Sequence, residues 1–255
     1  MNERAIAEYL VQARKRDAYR SFGAGAAVID VVCDPVLGED VTLVSYVDES
    51  LWSDNEFERW LASEAARHRI VVRRPEMPPS FGCWSEFIRY VRLDQLPDLS
   101  SRVHSTLEVR PARGHHEREF VRECLSRAIE AGYGERATIG GVSALADELM
   151  GEPGVVSHVA IDGAGRLMGQ ITYRSLDDDE TASTHEARTE LVDAFSVERP
   201  ATPVIDRLVS ATIGRVAFPV LGTVSATDAE RREQIIADLS RDGWVPCTSD
   251  WVAER

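Results

Sequence analysis

The stretch from Glu190 to Gly222 constrains the fold more than any other part of the 255-residue chain. It begins with an apolar, strand-like run over 191–197 and continues with apolar residues at helical spacing over 203–213. A second apolar run over 217–221 predicts another strand. A strand, a helix and a strand within about thirty residues predict a right-handed crossover between parallel strands. Such a unit directs the amino end of its helix, a natural anion site, towards the carboxyl end of a strand.

Charge and composition exclude several classes of function. The net charge of −14 argues against broad nucleic-acid binding, which draws most of its affinity from phosphate neutralisation. Lys15 is the only lysine, so the sequence contains no Walker phosphate loop, and a Schiff-base enzyme would have to use this residue. The four cysteines form no CxxC pair and the six histidines form no ligand pattern, so we expect no metal. The absence of a long apolar run and the charged stretch over 1–20 predict a cytoplasmic protein with no membrane partner.

Apolar patterns outline an α+β chain that is interrupted in the middle. The first part is predicted to contain helices at 3–20 and 54–68 and strands at 23–32, 41–47, 70–72 and 87–93. The polar, turn-rich segment 94–104 predicts a boundary between an N-terminal α+β domain (1–98) and a second domain (105–255). The second domain is predicted to contain a strand at 106–109, helices at 117–131 and 142–150, a hairpin at 155–173, the crossover unit, a helix at 226–241 and a strand at 244–252.

Three segments of 105–255 carry a family likeness: LEVRPARGHHEREFVREC, HVAIDGAGRLMGQITYRSL and TVSATDAERREQIIADLSRDGWVPCTSDWV. Together they resemble the GNAT superfamily of N-acetyltransferases. LEVRPARGHHEREFVREC resembles the first strand and helix of the family, and HVAIDGAGRLMGQITYRSL resembles its central hairpin. TVSATDAERREQIIADLSRDGWVPCTSDWV resembles the closing elements, with Gly243 and Trp244 at the family's Gly-Phe position. The resemblance implies a mixed central sheet flanked by helices. It also implies transfer of an acyl group from acyl-CoA to an amine of a small molecule or peptide.

The cofactor loop departs from the family pattern. The family holds the acyl-CoA pyrophosphate on a loop of the form Arg/Gln-x-x-Gly-x-Gly/Ala, which matches residues 200–205 here. Neither glycine is present, and Pro200 and Pro203 have no N–H to offer a phosphate. The family's frequent general-acid tyrosine falls on Leu239. The remaining cofactor-binding candidates that the resemblance implies are Phe195, Ser196, Val197, Arg199 and Thr202.

Two carboxylates on the strand over 190–197 are candidate catalytic bases. Asp193 interrupts an apolar run, so it is either a buried or cleft-lining carboxylate with a raised pKa or a residue at an open edge that pairs with an arginine. Glu190 is either a second base or a solvated strand start. We expect the working cleft where the strands 190–197 and 217–221 part.

The sequence leaves open which donor is used, whether the protein is catalytic, and what the N-terminal part is. The donor is acyl-CoA bound through a degenerate loop, or another carrier such as an acyl-carrier protein or an aminoacyl-tRNA. The competing hypothesis is a non-catalytic binding or partner protein with a GNAT-like fold. The N-terminal part is either a truncated, decayed second GNAT copy, which its Phe81-Gly82 pair favours, or an unrelated α+β domain.

Overall fold

The computed structural model describes residues 3–23, 25–74, 78–79, 82–96, 106–176, 187–198, 202–225 and 228–253. Within these ranges the α-helices are α1 (Glu3–Lys15), α2 (Asn55–Ala65), α3 (Gly114–Tyr133), α4 (Ile139–Gly151), α5 (Thr202–Thr212) and α6 (Ala229–Arg241). The strands are β1 (Tyr19–Phe22), β2 (Gly25–Asp34), β3 (Glu39–Val47), β4 (Arg69–Arg74), β5 (Trp84–Leu93), β6 (Glu108–Pro111), β7 (Val155–Ile161), β8 (Leu167–Ser175), β9 (Thr189–Ser196), β10 (Val220–Val224) and β11 (Val245–Ala253). The predicted α+β class, a mixed sheet flanked by helices, is confirmed.

The described strands form one sheet in the order β1-β2-β3-β4-β11-β5-β10-β9-β8-β7-β6. Strand β5 precedes the predicted domain boundary, yet it lies between β10 and β11 and is antiparallel to both. Strand β11 lies between β5 and β4 and is antiparallel to both. Each half of the chain thus places one strand between two strands of the other half. The division at residues 98–105 stays a prediction, and a continuous sheet crosses it.

The two halves contain the same crossover unit. Strands β3 and β4 are parallel, are joined through α2, and pair from Val41 with Arg69 to Val44 with Val72. Strands β9 and β10 are parallel, are joined through α5, and pair from Thr189 to Leu191. In each half the second strand of the unit is followed in the sheet by an antiparallel strand of the other half. This is the arrangement that a duplicated unit would give, and a second, decayed copy in the N-terminal part stays a prediction.

Helices cover both faces of the C-terminal half of the sheet. Val159 packs with Val121 of α3 and Ala146 of α4, whereas its neighbour Ala160 packs in the cluster that contains Val204 of α5. Successive residues of a strand face opposite sides of a sheet, so α3 and α4 lie on one face and α5 and α6 lie on the other. Successive residues of β7 therefore pack into two apolar cores, one on each face of the sheet.

A buried ionic cluster fixes α6 to β5. The Glu86 side chain is 4% exposed and lies 2.6 Å from Arg89 Nε and 3.0 Å from Arg232 Nε. Arg232 belongs to α6 and also donates through Nη1 to the Glu86 backbone carbonyl at 3.1 Å. The cluster joins a helix of the C-terminal half to a strand of the N-terminal half, and its charges are compensated within the protein.

Candidate functional site

The parallel strands β9 and β10 pair over only three positions and then separate. Thr189, Glu190 and Leu191 pair with Val220, Leu221 and Gly222. Beyond this point, residues 192–196 of β9 and 223–224 of β10 are not paired with each other. On its other side β9 continues to pair with β8 as far as Ser196. The strands therefore part where the sequence predicted a cleft.

A cavity of about 250 Å³ occupies the parting of the strands. Gly222 borders it, and a Cβ atom built on this glycine would lie 3.0 Å from the Trp244 ring and 3.2 Å from Val91. A larger residue at position 222 would therefore press on Trp244 and Val91, two walls of the cavity. Leu239, the residue at the family's tyrosine position, also lines the cavity and offers no proton donor. The complete lining is Val91, Ala128, Ala131, Leu191, Val192, Asp193, Ala194, Gly222, Thr223, Val224, Ser225, Ile235, Leu239 and Trp244.

A second cavity, also of about 250 Å³, lies beneath α3 and α4. Four residues line both cavities, so the two adjoin at the strand parting; they are Ala128, Val192, Thr223 and Ser225. Two molecules that occupied the two cavities would meet at this position. We call the first the strand-gap cavity and the second the α3–α4 cavity.

Asp193 lines the strand-gap cavity at the end of a polar row that crosses three strands. Ser157 of β7 is opposite Thr172 of β8, and Thr172 is opposite Asp193 of β9. The Thr172 hydroxyl donates to Gln170 Oε1 at 2.8 Å, and Gln170 Nε2 donates to Asp193 Oδ2. The Thr172 proton is thereby used, so the 2.8 Å contact with Ser157 has the Ser157 hydroxyl as its donor. The row fixes the Gln170 amide with its N–H directed at the carboxylate.

Burial raises the pKa of Asp193 to about 7, although the Ala194 backbone N–H and the Gln170 amide lower it. The Asp193 residue is half-buried and lines the cavity. A carboxylate with a pKa near neutrality is suited to accept a proton and release it again. The predicted raised pKa agrees with this environment, and Asp193 makes no ion pair with another described residue.

Glu190 lies at the paired end of β9 and faces the α3–α4 cavity. Its Oε2 accepts from Arg174 Nε at 2.7 Å, and Arg174 also contacts Glu152 through Nη1 at 2.6 Å. The Glu190 side chain is 18% exposed. The Glu190 carboxylate is engaged by Arg174, whereas Asp193 makes no ion pair with a described residue and lines the strand parting itself, so Asp193 is the better placed base.

The predicted cofactor-binding residues lie at the open end of β9. Arg127 lies 5.9 Å from the centre of the Phe195 ring, and the Ser196 hydroxyl accepts the Glu198 N–H at 3.1 Å. The Val197 N–H donates to the Met168 carbonyl at 3.0 Å, so this amide is already engaged.

The remaining two candidates flank the start of α5. Arg199 lies outside the described residues. Thr202 is the first residue of α5, one position before the start that the sequence predicted at Pro203. Pro203 follows it within the first turn and has no N–H to donate. The first turn of α5 therefore offers fewer N–H donors to a phosphate than a glycine-containing turn would.

Sequence reasoning missed two hydroxyl groups, one on β10 and one on the residue that follows it. Thr223 and Ser225 line both cavities, and neither hydroxyl has a hydrogen-bond partner among the described residues. They are two positions apart, so their side chains share a face of the strand. The signal that could have found them is this alternation, which continues past the predicted end of the strand.

The described ranges contain neither a membrane-spanning helix nor a metal-ligand cluster. None of their helices has the length and apolar character needed to cross a membrane. Among the same residues, no three or more His, Cys, Asp or Glu side chains come together as a set of metal ligands.

Comparison with solved structures shows the GNAT fold. A tandem GNAT protein from the clavulanic acid biosynthesis pathway is 13% identical, with 96% of this chain and 87% of that chain covered and a TM-score of 0.50. A conserved protein of unknown function from Staphylococcus epidermidis is 10% identical over 89% of each chain, with a TM-score of 0.50. A GCN5-related glucosamine N-acetyltransferase region of a fungal multi-domain β-N-acetylglucosaminidase is 11% identical over 91% of this chain and 31% of that chain, with a TM-score of 0.51. No family model and no curated protein matches the sequence.

Proposed function

We propose that this protein is an N-acyltransferase that transfers an acyl group from a thioester donor to the amine of a small molecule or peptide. The observation that carries the proposal is the position of Asp193. Its carboxylate has a pKa of about 7 and lines the parting of β9 and β10, where the strand-gap cavity meets the α3–α4 cavity. Acyl transfer to an amine needs a proton acceptor at the point where donor and acceptor meet.

The residues of the strand gap fit the narrow arm of a thioester donor. The gap is apolar on the side of Trp244 and Ile235, and backbone groups of β9 and β10 that point into it have no partner across it. Phe195, Ser196, Val197, Arg199 and Thr202 stay the proposed contacts for the rest of acyl-CoA. The prolines near α5 argue for weak phosphate contacts, which keeps an acyl-carrier protein or an aminoacyl-tRNA open as the donor.

A thioester donor supplies an acyl carbon bonded to a thiolate leaving group, so the C–S bond breaks as the C–N bond forms. The acceptor reaches the site as an ammonium ion, and Asp193 takes the proton that must leave before the nitrogen can attack. The attacking nitrogen loses a second proton when the amide forms. The hydroxyl of Thr223 or Ser225 faces both cavities and can pass one proton to the departing sulfur, while the other leaves from Asp193 to solvent.

The competing function is a non-catalytic binding protein on the same fold, and the missing loop glycines favour it. The test compares thermal shifts with acetyl-CoA and with S-acetylpantetheine, which carries the arm without the nucleotide. A ligand that binds only the folded state raises the melting temperature according to its concentration and affinity. We expect both ligands to stabilise the protein, followed by release of free thiol when an amine is added.

Two valine variants sharpen this experiment. Gly222→Val adds a side chain that displaces Trp244 and Val91, two walls of the strand gap, and should abolish both shifts. Gly163→Val is the matched control, because a Cβ atom at Gly163 meets no atom within 4 Å. Stabilisation of both variants alike, or no shift of the parent protein at millimolar ligand, would refute donor binding in the gap.

A further inference from the structure

The α3–α4 cavity has a mainly apolar lining with a few polar side chains. Leu125, Ile129, Leu145 and Leu149 supply helical side chains to it, and β5 adds Phe87 and Ile88. The polar side chains of the lining come from β5, α3, β9, β10 and the residue after β10; they are Tyr90, Tyr133, Glu190, Thr223 and Ser225. Glu190 supplies the only charged group that borders the cavity within the described residues.

Leu145 and Leu149 differ from the other apolar residues of their helix. They are one helical turn apart, so they project from the same side of α4. Both are only partly buried, and neither belongs to a packed apolar cluster of the described residues. Ala146, next to Leu145, is fully buried in the cluster with Val121. Packing within the protein thus accounts for Ala146, whereas the two leucines face the cavity.

We infer that the acceptor is a primary amine with an apolar body, and that Leu145 and Leu149 select it. This inference rests on the proposed function and names its acceptor class. The ammonium group of such a molecule lies towards Glu190 and the strand parting, and the apolar body lies against the leucines. A polycationic or sugar amine would place further polar groups against apolar side chains that cannot bond to them, which is costly.

The α3–α4 cavity adjoins another cavity, so the site can also take an acceptor that is too large for the α3–α4 cavity alone. Phe87, Gly132 and Tyr133 border it and also border a polar cavity of about 520 Å³. This larger cavity is lined by Arg69, Glu86 and Arg136 among others. A polar far end of the acceptor can therefore extend away from the strand parting while its apolar part stays under α4.

The test measures amine binding without any donor, by calorimetry with 2-phenylethylamine and with putrescine. Both are short primary amines, but the first ends in an apolar ring whereas putrescine ends in a second ammonium group. We expect 2-phenylethylamine to bind at least about tenfold more tightly, since a tenfold step corresponds to roughly 55 Å² of buried apolar area. Leu149→Asn should weaken its binding by about tenfold. Ile139→Asn is the matched control on the same helix, because Ile139 is 86% exposed.

Each outcome either supports or overturns the inference. Equal binding of the two amines, binding of neither, or unchanged affinity in Leu149→Asn would overturn it. If Leu149→Asn fails to fold, Leu145→Ala replaces it with the same expected loss of affinity. Because the measurement contains no thioester, failure of the proposed acyl transfer would appear separately, as missing donor shifts and missing thiol release.

Discussion

Replacement of Asp193 by asparagine should change how stability depends on pH, whether or not the protein is an enzyme. Burial raises the pKa of the Asp193 carboxyl to about 7 in the folded protein. In the unfolded chain the same group titrates near pH ~3.9. Between these values the folded state holds a proton that the unfolded state has lost. Stability is therefore greatest below the unfolded pKa and falls as the pH rises through the folded pKa.

The magnitude follows from the two pKa values. They differ by about three units, and each unit corresponds to about 1.4 kcal/mol, so ionisation of Asp193 costs the folded state about 4 kcal/mol at pH 8. Part of the side chain faces a cavity, which makes this figure an upper bound. The asparagine side chain does not titrate but can accept the same Gln170 hydrogen bond. The free energy of unfolding of Asp193→Asn minus that of the parent should therefore rise between pH 4 and pH 8.

Urea unfolding at one-unit pH intervals measures this difference directly. Asp162→Asn provides a control of opposite sign, because backbone N–H groups and Arg166 lower the pKa of Asp162. That carboxylate stabilises the folded state above its unfolded pKa, so its difference curve should bend only below about pH 4 and in the other direction. A flat Asp193→Asn difference curve from pH 4 to pH 8 would mean that this carboxylate is solvated, and the proposed base would lose its support.

Two further predictions concern the ionic cluster and the reaction. Glu86→Gln should lower the free energy of unfolding by about 3–5 kcal/mol, since it removes the buried negative charge that compensates the guanidinium groups of Arg89 and Arg232. The control is Glu233→Gln, which should cost less than about 1 kcal/mol because the Glu233 side chain is 59% exposed. Equal effects of the two substitutions on the free energy of unfolding would contradict the role assigned to Glu86. Below pH 7, kcat/KM for acyl transfer should rise about tenfold per pH unit until the Asp193 carboxylate is ionised. A pH-independent rate in this range, measured by thiol release, would exclude Asp193 as the base.

Local periodicity was sufficient to predict the crossover unit. Strand β9 and helix α5 start within one residue of their predicted positions at 190 and 203. The second strand was predicted over 217–221 but spans Val220–Val224. The prediction ended early because the strand continues through Gly222 and Thr223, which lack an apolar signal. Those two residues border the strand gap, so the part of the strand that the pattern missed is the part that lines the site.

The order of strands could not be predicted from periodicity. The pattern of 87–93 indicates a strand, but it contains no information on which neighbours that strand pairs with. Strand β5 was assigned to the N-terminal domain and instead lies between β10 and β11. Asp193 was predicted as a site residue only because it interrupts the apolar run of its own strand. The row through Ser157, Thr172 and Gln170 depends on the register of three strands, so it appears only in the folded protein.

The parting of β9 and β10 follows from the neighbours that each strand has on its other side. Strand β9 pairs with β8 as far as Ser196, whereas β10 pairs along its whole length with β5 of the N-terminal half. Because β10 is hydrogen-bonded to β5 along its whole length, it cannot also stay paired with β9 where β9 twists away together with β8. The N-terminal half has no candidate catalytic cluster among its described residues, yet its β5 supplies Val91 to the strand gap and Phe87 to the α3–α4 cavity. The site is therefore built by both halves, and a C-terminal half alone would lose both the wall and the restraint that keeps the gap open.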